Sequence, residues 1–171
     1  ATRTVPSYQD EAVYIDALAT SIEKHYATLD FEPELLIASY HGIPQSYFKR
    51  GDPYPCHCWK TTRLLRERLG WSEDKLITCF QSRFGPEEWM QPYTDKTLEK
   101  LARGGVKSVA VFNPGFVSDC LETLEEIAGE GGEIFHHNGG INFTHIPCLN
   151  DSEGGMAIIE QLVRRELQGW I

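Results

Sequence analysis

"KSVAVFNPGFVSDCLETLEEIAGE" occupies residues 107–130 and joins a strand pattern directly to a helix pattern. A valine-rich run of strand length, 107–113, breaks at Pro-Gly and passes directly into a helical pattern. That is one βα unit. Outward from it the same layout recurs: "ELLIASY" (34–40), "KLITCFQS" (75–82) and "FTHIPCL" (143–149) are apolar runs. Helical stretches follow each run, at 57–70, 95–105, 118–140 and 155–170, and an amphipathic helix at about 10–26 leads the chain. Strands that alternate with helices pair in parallel, because a crossover long enough to hold a helix returns the chain to the same end of the sheet. The expected fold is therefore α/β, a four-stranded parallel sheet flanked by helices, with βα units from about residue 34. Gly70, Gly104-Gly105 and Asn138-Gly139-Gly140 stand where helices should stop.

The bulk numbers narrow the function. The 171 residues are 41% hydrophobic and 24% charged, enough for one domain with its own core. A formal charge of -9 and a pI near 5.1 argue against nucleic acid or an anionic membrane as the main partner. No apolar run approaches the roughly 18 residues of a spanning helix. The start lacks the layout of a secretory signal, and without an initiating Met the chain is expected to be processed or partial. Five cysteines, only two of them close together, predict free thiols and a reducing cytoplasm.

Parallel sheets bind ligands outside the carboxyl ends of their strands. Two of the connections there, "HGIPQSYFKRGDPYP" and "RFGPEEWMQPYT", exceed the usual two to six residues. His41, Arg83, Trp89, Phe116 and Glu122 should all gather at that end. His41 at a strand end is a candidate general base, since an imidazole exchanges protons near its ordinary pKa of about 6.5. The plain alternative is a histidine that only caps the strand. Trp89 and Phe116 could wall a flat apolar ligand or simply pack.

Glu122, Glu126 and Glu130 recur every four residues, with Glu125 and Glu133 nearby. On an α-helix they form one acidic stripe whose mutual repulsion costs roughly 0.2–0.5 kcal/mol per pair. Carboxylate oxygens suit hard or borderline divalent cations, so the stripe is either a metal path or a solvated face. "PYPCHCWK" offers Cys56, His57 and Cys58, but neither Cys79 nor Cys148 brings the second ligand pair that a structural zinc site wants. His136 and His137 end a helix, where cationic side chains favour the dipole, and His25 and His145 carry no motif.

Taken together, "SYHGIPQSYFKRGDPYP", "FQSRFGPEEWMQPYTD" and "PGFVSDCLETLEEI" resemble the ferrochelatase family, closely so in its proteobacterial form. The match runs in order from about Tyr14 through "PCLN" to the last helix. Members have two similar Rossmann-like α/β domains, and the resemblance implies that residues 1–171 are the carboxy-terminal one, with the amino-terminal domain absent. It implies insertion of Fe2+ into protoporphyrin IX, with porphyrin and ferrous iron as substrates. By motif, His41 and Glu122 would be catalytic. His41, Glu122, Glu126 and Glu130 would handle metal, and Trp89 and Phe116 would line the porphyrin pocket. Many relatives carry His where this chain has Cys120, so a metal route through that histidine is not expected here. No cofactor is expected beyond the substrate iron, and no iron–sulfur cluster. Two other readings stay open: a single-domain chelatase for cobalt or iron that completes its cleft as a homodimer, and a non-catalytic porphyrin-binding module.

Overall fold

The computed structural model describes residues 2–170. Four strands form one sheet: β1 (Leu35–His41), β2 (Leu76–Gln81), β3 (Ser108–Phe112) and β4 (Asn142–Ile146). All pairings are parallel and the order is β2-β1-β3-β4. The chain lays β2 on one side of β1, then crosses to build β3 and β4 on the other. The β1/β3 boundary is thus the switch point, outside whose carboxyl ends a crevice opens.

Period-two alternation feeds two cores. Leu36, Ala38, Tyr40, Ala110 and Phe112 meet α1 (Ala12–Tyr26), α3 (Tyr54–Leu69) and α6 (Glu153–Leu167) on one face. Leu35, Ile37, Val109 and Val111 meet α4 (Thr94–Arg103) and α5 (Gly132–His137) on the other, with Ile127 and Phe135 completing that layer. Burial on both faces explains why β1 and β3 read as continuous apolar runs. A short helix, α2 (Gln45–Lys49), lies in the first long connection and was not expected from the sequence. Gly70 closes α3 with φ +68°, the left-handed stop that glycine adopts without a steric penalty.

The predicted helix over 118–140 needs correction. Residues Glu122–Gly131 form a π-helix, and α5 continues from Gly132. Hydrogen bonds from i to i+5 widen the turn, so a step of four residues falls short of a full turn instead of passing it. Glu122, Glu126 and Glu130 still share a side, but their row winds opposite to the α-helical stripe. The junction sits hard against β4: a Cβ on Gly132 would lie 3.2 Å from the Phe143 ring, and one on Gly131 would lie 3.4 Å from Leu98. A side chain at position 132 would force the Phe143 ring to give way, whereas one at 131 would meet Leu98 of α4 at ordinary contact distance.

Gly140, just past α5, is under a tighter constraint. A Cβ there would meet Cδ1 and Cε1 of the fully buried Phe135 at 2.2 Å. Gly140→Ala is expected to cost about 1–3 kcal/mol through overpacking. Urea denaturation would show a lower midpoint with unchanged slope, and an unaltered midpoint would contradict the contact.

Candidate functional site

His41 ends β1 at the switch point and is only partly buried. Its Nδ1 lies 2.7 Å from the Gly42 carbonyl oxygen. A carbonyl can only accept, so Nδ1 carries the hydrogen, and a neutral ring therefore presents a bare Nε2. The Tyr54 hydroxyl donates to the His41 carbonyl at 2.9 Å, fixing the backbone. Two aromatic rings flank the imidazole: Trp89 and Phe116 each stand 6.4 Å from it between centroids.

The glycine after His41 is required by these neighbours. A Cβ on Gly42 would come within 2.9 Å of the Gln81 carbonyl and 3.3 Å of the Trp89 indole. The Trp89 loop is stitched to this segment, with the Gln45 amide donating to Glu88 at 2.8 Å and the Met90 amide donating to Ile43 at 2.9 Å. Trp89 Nε1 donates to the Phe84 carbonyl at 2.9 Å, holding the indole across the strand end. Phe84, Val117, Leu121 and Leu124 are exposed in the segments that carry Trp89, Phe116 and Glu122. The site is an open apolar face with a histidine in it.

Glu122 begins the π-helix beside this face and is half-exposed. The Cys120 thiol, then its own backbone and, to a smaller extent, His41 hold its carboxyl below the ordinary carboxylate range. It is therefore an anion at neutral pH. Cys120 thus serves as a neighbour of the carboxylate.

Glu126 is clamped. Its Oε1 accepts from the Ser82 amide at 2.7 Å, and its Oε2 accepts from the Ser82 hydroxyl at 2.5 Å and from Gln81 Nε2 at 3.4 Å. Gln81 Nε2 also donates to the Glu122 carbonyl at 2.9 Å. Behind it, Asn113 Nδ2 and the Ser39 hydroxyl donate to Gln81 Oε1 at 2.6 and 2.8 Å. A buried polar network thus ties the π-helix to the ends of three strands. Ser82 does this at φ +62°, in a left-handed conformation that non-glycine residues adopt when their surroundings dictate it. Glu130 is exposed and, with Glu126, Ser82, Arg83 and Asp95, lines a cavity of about 310 Å3 between the π-helix and α4. Among the described residues no three His, Cys, Asp or Glu side chains converge on one point, so the acidic row is a succession of carboxylates with no closed cage.

Of the residues expected at this end, His41, Trp89, Phe116 and Glu122 come together. Arg83 instead pairs with Asp95 at 2.8 Å and lies over the Tyr93 ring. Gln81, Ser82 and Asn113 join the site through the network around Glu126. The signal for them was a polar pair ending an apolar strand, "FQS", and an Asn after "VAVF". Cys56 is exposed and Cys58 buried on α3, and all five cysteines are free.

His145, without a motif in the sequence, closes the network by facing Asn113 Oδ1 at 2.8 Å, while His25 meets the Thr144 hydroxyl at 2.7 Å. Burial lowers the pKa of both. The unfolded chain then binds more protons than the folded one as pH drops below about 6.5, so stability rises with pH and is lost on acidification. Melting temperatures taken between about pH 7.5 and pH 5.5 are expected to fall. His145→Gln keeps a donor toward Asn113 and cannot charge, so the fall should be shallower; an equally steep fall would refute the assignment.

A parallel sheet with a histidine, a carboxylate and aromatic walls at its switch point defines a Rossmann-like α/β domain with an open ligand face. Comparison with known proteins makes the class particular. The family model described as Ferrochelatase matches residues 1–167. Ferrochelatases of Allorhizobium ampelinum, Rhizobium meliloti and Agrobacterium fabrum are 72%, 71% and 71% identical over 171 residues, all of this chain and 50% of each relative. The chain belongs to the ferrochelatase family and spans about half the length of the curated relatives it matches.

Proposed function

We propose that this chain is the carboxy-terminal half of an enzyme that inserts Fe2+ into protoporphyrin IX to form protohaem, the last step of haem synthesis. The observation that carries this reading is His41, its Nε2 bare in the neutral ring, set between Trp89 and Phe116 beside an ionised Glu122. Metallation removes two pyrrole protons as one dication enters, so the porphyrin needs a base within reach and an anionic approach for the metal. His41 is the base and Glu122 the carboxylate at the reacting centre. Trp89 and Phe116 are the apolar walls against which the macrocycle lies. Glu126 and Glu130, which share the cavity behind Glu122, carry the metal or protons along the row.

The amino-terminal half is the partner that covers the open face, a reading supported by relatives twice this chain's length. Their length also weighs against a self-sufficient homodimeric chelatase. No helix of the described residues is long and apolar enough to cross a membrane. The cytoplasm is the proposed compartment, and iron enters as substrate with no resident cofactor or iron–sulfur cluster.

The test is anaerobic Fe2+ insertion into protoporphyrin IX, followed by absorbance, with this chain alone, with this chain plus the amino-terminal half, and with the full-length protein. Activity in the full-length protein and on mixing supports the proposal. Activity of this chain alone would point to the homodimer, and porphyrin binding without metallation in the full-length protein would make it a binding module.

A further inference from the structure

Asp119 lies three residues before Glu122, and by sequence it could be counted as one more member of the acidic row. Its surroundings say otherwise. Oδ1 accepts from the Cys148 amide and the Thr123 hydroxyl, both at 3.1 Å, and Oδ2 accepts from Asn150 Nδ2 at 2.7 Å. In return the Asp119 amide donates to Asn150 Oδ1 at 2.8 Å, and the Asn150 amide donates to the Val117 carbonyl at 3.1 Å. Four hydrogen bonds thus join the loop after β3 to the loop after β4. Asn150 makes three of them, and does so at φ +48°, a left-handed conformation that asparagine, aspartate and glycine tolerate better than other residues.

We infer that Asp119 and Asn150 form a reciprocal clip that positions Glu122, and that Asp119 acts through hydrogen-bond geometry instead of supplying charge to metal or porphyrin. The loop between β3 and the π-helix carries both Phe116 and Glu122, and the clip is its attachment to β4's side of the sheet. Thr123, whose hydroxyl donates to Asp119 and accepts from the Cys120 amide at 3.0 Å, transmits that attachment into the first turn of the π-helix. The inference rests on Glu122 being the working carboxylate.

The chemistry of the pair supplies the test. In Asp119→Asn, an amide placed to accept from Cys148 turns its NH2 against that of Asn150; rotated, it turns the NH2 against the Cys148 amide. In Asn150→Asp, two carboxylates face each other across the clip. Combining the two restores every bond: the side-chain amide now at position 119 donates to the carboxylate now at position 150, and that carboxylate also accepts from the backbone amide of residue 119. Only the position of the charge has moved. Asn150→Gly is the backbone control, since it removes the side-chain bonds while suiting the positive φ.

In the full-length protein each single variant is expected to lower kcat for Fe2+ insertion by about 10–100-fold, the usual cost of losing a partner that orients a working group. Porphyrin Kd, read by fluorescence quenching, should change by no more than a few-fold, because Trp89 and His41 are held by other segments and only Phe116 shares the clipped loop. The double variant should recover to within about threefold of wild type. Amide exchange over residues 118–123 should quicken in the single variants and in Asn150→Gly, and slow again in the double variant. A double variant as impaired as Asp119→Asn would show that the charge itself is used and would overturn the inference. So would single variants with wild-type kcat and wild-type exchange. If the wild-type protein does not metallate, the functional proposal fails, and the exchange data alone still decide whether the clip holds this turn.

Discussion

Glu122→Gln in the full-length protein is expected to reduce Fe2+ insertion by about 10²–10⁴-fold, the range over which a positioned proton-transfer group contributes, while porphyrin still binds. The substitution keeps the shape of the side chain and removes its charge. Glu122 is held below the ordinary carboxylate range by Cys120, its backbone and His41, so at neutral pH the native group is fully anionic and the loss of charge is complete. Of the aromatic walls that would hold the macrocycle, Trp89 lies on another loop and Phe116 earlier in the same one, and neither ring needs the Glu122 charge to stay against His41. The effect should therefore fall on kcat. Turnover within a few-fold of wild type would remove Glu122 from the reacting centre. A large rise in porphyrin KM with unchanged kcat would instead make it a binding residue.

His41→Ala should be comparably severe, again about 10²–10⁴-fold in kcat. Alanine leaves the strand end intact, because the Tyr54 hydroxyl bonds the backbone carbonyl of residue 41 and not its ring. It opens a space between Trp89 and Phe116 the size of the lost imidazole. Imidazole added to the solution is thus expected to restore part of the rate in a concentration-dependent way. Full activity of His41→Ala without additive would show that the histidine only caps β1. An inactive variant that binds porphyrin poorly and gains nothing from imidazole would make it a packing element between the two rings.

The parts of the site differ in how far the sequence reveals them. His41 was visible because a histidine ending an apolar run must emerge at the carboxyl end of a parallel strand. Trp89 and Phe116 were visible as aromatics in loops at that same end. Gln81 and Asn113 were not, since a polar residue closing a strand is ordinary until its partners are known. Those partners lie 32 residues or more away in the chain. The Asp119 and Asn150 pair is hidden for the same reason, being 31 residues apart. Glu126, by sequence one carboxylate of a metal path or a solvated face, is held by three donors at the end of β2.

The local periodicity is written in the sequence: four strand-length apolar runs, the helices between them, the glycine stops, and hence a parallel α/β sheet with its ligand end at "HGIP" and "PGFVSDCLE". Such properties depend on neighbours within a few residues, so they are written along the chain. Tertiary structure alone decided the order β2-β1-β3-β4, which sets His41 and Glu122 on either side of the switch point. It also decided the π-helical turn that rewinds the acidic row and the clamps that hold it. Each of these depends on which strand lies beside which and how closely helix and sheet approach. That is a matter of packing between distant segments, and a one-dimensional pattern does not encode it in any local run of residues.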